Sequence, residues 1–187
     1  MQRFTTGLLA LAVTVLSTGC AMVAPQYSAS IDNVQVLKDS GNYTAKVGEF
    51  TASKDKAYAN PISIRGSSLA SPYGDSYANY VAEALKQELS LAKKLSPDAD
   101  MEILGTVLKN DIDATGVSIG WAEIEARFIM KRSGQVRYDQ VKSIKHEFPS
   151  SFAGAVAIPK AVQEYPIAVQ KLLNQLYTDK AFIDALK

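Results

Sequence analysis

Hydrophobic positions along this chain change period several times, and each change marks an element. Gly7 to Leu16 (GLLALAVTVL) is a run of ten residues without a charge. Ala21 to about Ser30 has no sustained period and contains Pro25, which predicts a short tether. Two strands are expected at Asn33 to Leu37 and Ala45 to Thr51, parted by the turn-forming Asp39-Ser40-Gly41-Asn42. Ser53 to Asp75 then reads as a long irregular segment. It holds Pro61, Gly66, Pro72 and Gly74 around a short strand at Ile62 to Arg65.

The first clear helical face follows, from about Ser76 to Leu95. Ala78, Val81, Ala82, Leu85, Leu89 and Ala92 recur at spacings of three and four, and Ser96-Pro97-Asp98 ends the run. Met101 to Leu108 is apolar on both alternating faces, as in a covered or central strand. From Trp121 to Lys131 the alternation is cleaner. Ala122, Ile124, Ala126, Phe128 and Met130 share one face, and Glu123, Glu125 and Arg127 share the other. Arg132-Ser133-Gly134-Gln135 is a tight turn into a returning strand at about Val136 to Phe148. A closing helix is expected from Ile158, with Pro159 in its first turn and a kink at Pro166. Its face is Val162, Tyr165, Val169, Leu172 or Leu173, and Leu176. Thr178 would cap a last short helix carrying Phe182, Ile183 and Leu186. The order gives an α+β class: a mixed, mainly antiparallel sheet with two principal helices on one face.

The uncharged run at the start changes the picture of where this domain lives. Arg3 precedes it, and its length falls short of the roughly 20 apolar residues that cross a hydrocarbon core, so it has the layout of an export signal. Leu16-Ser17-Thr18-Gly19-Cys20 resembles the bacterial lipobox, with Leu16 one place further from the cysteine than the commonest pattern and Ser17 in the usual leucine position. The resemblance implies cleavage before Cys20 and a diacylglyceryl group on its sulfur. Cys20 is the chain's single cysteine, so no internal disulfide can protect it in an oxidising compartment, whereas lipidation would. Mature lipoproteins of this kind carry three acyl chains, and two or more hold a protein firmly at ~0.8 kcal/mol per buried methylene. Ala21 in place of Asp implies release to the outer membrane, facing the periplasm. The expected organisation is a signal peptide at 1–19, a lipidated cysteine and tether at 20–30, and a single α+β domain at 31–187.

Asp100 to Leu186 resembles the YajG-like outer-membrane lipoproteins. The resemblance is carried by ADMEILGTVLKNDID, by AEIEARFIMKRSGQVRYDQVKSIKHEF, by the small-residue link SSFAGAVA and by VQKLLNQLYTDKAFIDALK. A broader topological similarity takes in the auxiliary lipoproteins of lipid-transport ABC systems and LpoB-type activators of peptidoglycan synthases. It implies no enzyme activity and an accessory role in the envelope.

Charge and residue inventory narrow the chemistry. The 20 Lys and Arg against 19 Asp and Glu become equal once Arg3 is removed, and no basic cluster stands out, which argues against a nucleic-acid partner. His146 is the only histidine and reads as a strand-surface residue, too few for a multi-histidine metal site. Glu123 and Glu125 lie ~7 Å apart on one strand face and read as a solvated charged surface with Arg127. Asp111 and Asp113 lack the glycine and distal glutamate of a calcium loop. Arg65-Gly66-Ser67-Ser68 lacks a phosphate-loop signature and reads as a turn. No cofactor is expected beyond the covalent lipid anchor on Cys20.

The expectation is therefore a non-enzymatic membrane-anchored protein that binds a protein or envelope partner. The alternatives are a carrier enclosing lipid or glycolipid in an apolar groove, and a hydrolase with an unrecognised site. Tyr73, Tyr77 and Tyr80, beside the segment 53–75, read as aromatics partly buried in the core, and as the alternative they are the candidate partner-binding residues. Cys20→Ser should abolish fatty-acid labelling and firm membrane attachment. Metabolic labelling with fractionation checks it, and equal labelling of the variant would refute the anchor.

Overall fold

Alternation of apolar and polar side chains over three long stretches dictates the centre of the molecule. The computed structural model describes residues 21–186, so the signal peptide and Cys20 lie outside the described residues. Strands β5 (Met101–Asp113), β6 (Ile119–Arg132) and β7 (Gln135–Pro149) form an antiparallel meander. The β6 to β7 turn places Ser133 (φ 49°) and Gly134 (φ 82°) in the left-handed region, the two positive values that a twisted two-residue hairpin requires. β2 (Ala45–Ala52) joins the free edge of β5 in parallel and completes a sheet in the order β2-β5-β6-β7. One face buries Ala122, Ile124, Ala126, Phe128 and Met130. The helices cover that face.

The fold class stands as expected, and several elements differ from the sequence reading. Asn33 to Leu37 is not a strand but part of helix α1 (Ile31–Asp39), started by Ser30, whose hydroxyl accepts from the Asn33 amide at 3.3 Å. Val34 and Leu37 are buried three residues apart, while Asp32 and Lys38 complement the dipole at its two ends. The stretch 21–30 is not a loose tether. Ala21–Val23 forms β1, paired in parallel with β4 (Ser67–Ala70), and Ala24 and Tyr27 are buried.

The segment 53–75 is likewise ordered. β3 (Ile62–Ile64) and β4 make a hairpin around Arg65 (φ 49°) and Gly66 (φ 81°), and with β1 they form a second sheet, β1-β4-β3. Ile62, Ile64 and Leu69 are fully buried, so this is a lid of the core and not a free binding loop. Strands of three and four residues between prolines and glycines are too short to show a period.

Helix α2 (Tyr77–Leu91) is capped by Ser76, whose hydroxyl accepts from the Asn79 amide. It ends at Leu91 and not at Leu95, because Lys93 turns left-handed (φ 59°) before Pro97 is reached. α3 (Gly154–Tyr177) begins four residues earlier than Ile158, absorbing the small residues Gly154, Ala155 and Ala157. Both Pro159 and Pro166 lie within it. The cap of α4 (Lys180–Ala185) is Asp179, which accepts from the Ala181 amide. Thr178 instead closes α3, donating to the Asn174 carbonyl.

Packing is close where α2 crosses the sheet. Phe50 stands edge-on to Phe128 with centroids 6.2 Å apart, and a Cβ at Gly105 would lie 2.3 Å from the Phe50 ring. Leu85 and Phe128 are both fully buried in this layer. Leu85→Ala should cost roughly 2–5 kcal/mol and Phe128→Ala roughly 3–5 kcal/mol, as lost transfer energy plus a cavity. Urea unfolding checks this, and losses under about 0.5 kcal/mol for both would refute the assignment of the buried face.

Candidate functional site

Polar side chains inside an apolar layer must find partners, and following those partners locates the molecule's chemistry. Glu88 projects from α2 into the interior. Its carboxylate accepts from the Tyr27 hydroxyl at 2.6 Å, the Ser30 amide at 3.0 Å and the Asn33 side-chain amide at 3.1 Å. Burial pushes the Glu88 carboxyl above its ordinary range in spite of these donors. The Tyr177 hydroxyl is also buried near it, without a hydrogen bond of ordinary geometry. Asn33 also donates to the Gln170 carbonyl at 2.9 Å and accepts from Asn174 at 3.0 Å, which fixes α1 to α3.

A second cluster surrounds His146, which is buried and not on the surface as the sequence suggested. It lies on the same face of β7 as Ile144 and Phe148, beneath α3. His146 Nε2 is 2.6 Å from Glu164 Oε2, and Nδ1 is 2.8 Å from Lys171 Nζ. An ammonium can only donate, so Nδ1 accepts and Nε2–H donates to Glu164. Lys160 closes the chain on the other Glu164 oxygen. Both ring nitrogens are thus engaged by α3, and neither is free to take a proton from a nucleophile. The arrangement locks α3 onto the sheet.

Between α1 and α3 these clusters leave an open groove of about 490 Å³. Its walls carry Asp32, Asn33, Gln170, Lys171 and Asn174, with Ile144 among the lining residues. The lining is amide-rich, with one carboxylate and one ammonium, and its walls are pinned by the Asn33 and Gln170 bonds. Gln170 itself donates to the Ser28 carbonyl at 2.8 Å. This is a pre-formed surface lined by polar side chains.

The residues singled out from the sequence lie elsewhere. Tyr77 and Tyr80 are fully buried and Tyr73 partly so, which agrees with the core reading of these rings and corrects the alternative of partner contacts: their surface is taken up by the core. Tyr77 donates to the Leu69 carbonyl and Tyr80 to the Pro25 carbonyl, both at 2.8 Å, and the Tyr73 hydroxyl accepts from the Tyr27 amide. Glu123 pairs with Lys109 at 2.9 Å and Arg127 with Asp139 at 2.5 Å, on the outward face of the sheet. Asp111 accepts from the Ile112 amide and Asp113 from Thr115, so both carboxylates turn onto nearby groups of their own segment. Among the described residues no group of three or more His, Cys, Asp or Glu could hold a metal ion.

The sequence reading missed Glu88 and the His146 cluster, although a signal existed for each. Glu88 sits three after Leu85 on the α2 face, Glu164 three after Ala161 on the α3 face, and His146 keeps parity with Ile144 and Phe148. A charge or imidazole in register with a buried stripe marks a satisfied interior group.

Glu164 gives this cluster a pH dependence. Burial raises its carboxyl, but hydrogen bonds from Lys160 and His146 outweigh burial and hold it below the usual value. A depressed folded value means stability that is present above the unfolded value and lost as pH falls through the folded one. Glu164→Gln should therefore cost about 1–3 kcal/mol at neutral pH, with the difference from the natural protein shrinking below about pH 4. Denaturant unfolding of residues 21–187 across pH checks it. A difference that widens on acidification would refute the assignment.

No protein-family model matches the chain, and no curated protein matches it. Solved structures do share its fold. Protein XCC0632 from Xanthomonas campestris, of family DUF330, superposes with a TM-score of 0.60 at 14% identity, over 89% of this chain and 97% of that one. A Caulobacter crescentus protein provisionally described as a lipoprotein gives 0.46 at 11% identity, over 81% and 93%. A minor lipoprotein from Acinetobacter baumannii gives 0.39 at 9%, over 71% and 91%. The Xanthomonas likeness shows that the mixed sheet with helices on one face is an established fold.

Proposed function

We propose that this chain is a YajG-like, non-enzymatic lipoprotein, held in the outer membrane by acyl chains on Cys20 and facing the periplasm, where it serves as an accessory or scaffold component. On this reading it binds an envelope protein through the α1–α3 groove. The observation that carries the reading is the filled interior. A carrier of lipid or glycolipid needs a contiguous apolar cavity between sheet and helices. Here Tyr77, Tyr80 and Tyr165 occupy that space with ring centroids 4.9 to 6.3 Å apart, and the Tyr165 hydroxyl donates to Asn110 at 2.8 Å. What is left for recognition is surface.

The hydrolase alternative loses its best residue for a related reason, because His146 is held at both nitrogens. Among the described residues no helix is long and apolar enough to cross a membrane. The lipobox-like segment before Ala21 supports attachment by acylation.

A photo-reactive residue at Gln175, on the groove wall, should yield one discrete protein adduct in cells, whereas the same residue at exposed Val136 should not. Asp32→Lys reverses the groove's single carboxylate and should weaken the adduct about tenfold, equivalent to roughly 1.4 kcal/mol. Absence of any adduct from a correctly attached protein would remove the groove as the binding site. A lipid that copurifies one-to-one with the protein would favour the carrier.

A further inference from the structure

We infer that the end of the domain formed by the β5–β6 loop, the β7–α3 link and the start of β1 rests on the bilayer that holds the anchor. The inference builds on the reading of Cys20 as the lipid site. Arg65 organises this end: its guanidinium donates to the carbonyls of Ala114 (2.7 Å), Gly116 (3.3 Å), Ser151 (2.7 Å) and Phe152 (2.8 Å). One side chain therefore ties the β3–β4 turn to both neighbouring connections. The Ser150 amide adds a bond to the Ser118 carbonyl at 2.8 Å.

The two connections gathered there are devoid of charge. Ala114 to Ala122 and Pro149 to Pro159 contain no Asp, Glu, Lys or Arg. Their large apolar side chains point outward: Phe152 is 82% exposed, Val117 69%, Val156 59% and Ile119 56%. Exposed apolar groups concentrated on one surface mark a contact site, and the exposed Glu147 beside Ile119 lies at its edge. Trp121, the chain's single tryptophan, lies two residues from Ile119 with the Lys145 ammonium 4.8 Å from its ring centre. An amphipathic ring with a lysine beside an apolar tip is the arrangement that suits a headgroup boundary.

The path of the N-terminal segment selects lipid as the occupant. β1 runs parallel to β4 with Ala21 opposite Ser68, so the chain enters the fold beside the Arg65-Gly66 turn, at this same end. Consecutive Cα atoms are ~3.8 Å apart, so acyl chains on residue 20 leave the protein within one residue of a paired strand. The pairing leaves no slack to hold the domain away from the membrane. The surface next to Ala21 must meet the interface, and it is the one that carries the exposed apolar side chains of the two connections.

The test uses the full-length acylated protein, in which Cys20 is blocked and an introduced cysteine is the only free thiol. Phe152→Cys and Val117→Cys at this end, and Val136→Cys at the opposite end of β7, are each labelled with an environment-sensitive fluorophore. The proteins are reconstituted into phosphatidylethanolamine and phosphatidylglycerol vesicles containing a chain-nitroxide lipid. Labels at 152 and 117 should be quenched by the nitroxide and lose most of their quenching by aqueous iodide. The label at 136 should do the reverse. If intact mass shows the acyl chains yet the labels at 152 and 117 are as open to iodide as that at 136, the bilayer contact is overturned while the anchor stands. Labels exposed on pure lipid but shielded in native envelope membranes would assign the tip to a protein and equally overturn it. An intact mass without acyl chains would remove the anchor, and the inference with it.

Discussion

Burying a carboxylate costs several kcal/mol unless donors surround it, and this domain places one, Glu88, where four segments meet. The Tyr27 hydroxyl, the Ser30 amide and the Asn33 side chain converge on it from the N-terminal segment and α1, while Asn33 passes the connection on to α3. Each donor lost would leave the buried carboxylate with fewer partners, which favours folding of the segment before α1 against α2. The consequence reaches β1. A stretch with the composition of a linker becomes a strand and a helix cap because its polar groups are required inside.

A second constraint works at the other side of α3. β7 presents Ile144, His146 and Phe148 to that helix, and the imidazole can be buried only if both nitrogens find partners. Glu164 and Lys171 supply them from one α3 face, seven residues and two turns apart. Lys142 and Tyr138 on the same strand reach Asp179, the cap of α4, at 2.5 and 2.8 Å. The C-terminal helices are thereby set on the sheet by polar bonds with directional demands, over an apolar layer that has few. Fixing α3 fixes one wall of the groove, and α1, held through Asn33, supplies the other.

How much of this could be read beforehand depended on the length of each pattern. β5, β6 and β7 run for 13 to 15 residues, and their alternation is legible with only the ends in error. Asn33-Val34-Gln35-Val36-Leu37 satisfies both a strand and a helix, and the decision comes from Ser30 and from the Glu88 contacts, which a local window does not contain. The β3–β4 hairpin is too short to have a period at all. Of the candidate site residues, Tyr77 and Tyr80 were recognisable as aromatic and clustered, but the direction in which they face depends on Tyr165, about 85 residues away, against which both rings pack. The groove could not be foreseen, because it exists only where α1, assigned as a strand, meets α3.

The two surfaces proposed for contact do not compete for space. α3 begins at the apolar end with Gly154 and reaches the groove at Ile167, thirteen residues later. At 1.5 Å per residue the separation along the helix is about 20 Å. If the tip rests at the headgroups as inferred, the groove stands clear of the lipid, at a height set by the fold and not by a flexible linker. A partner held there would meet the domain at a fixed distance from the membrane. That follows from the ordered β1: a lipoprotein with a long free tether would sample many heights, whereas strand pairing beginning at Ala21 allows few. On the proposed reading, the same pairing that removes the tether as an independent element makes the domain a spacer as well as a binding surface.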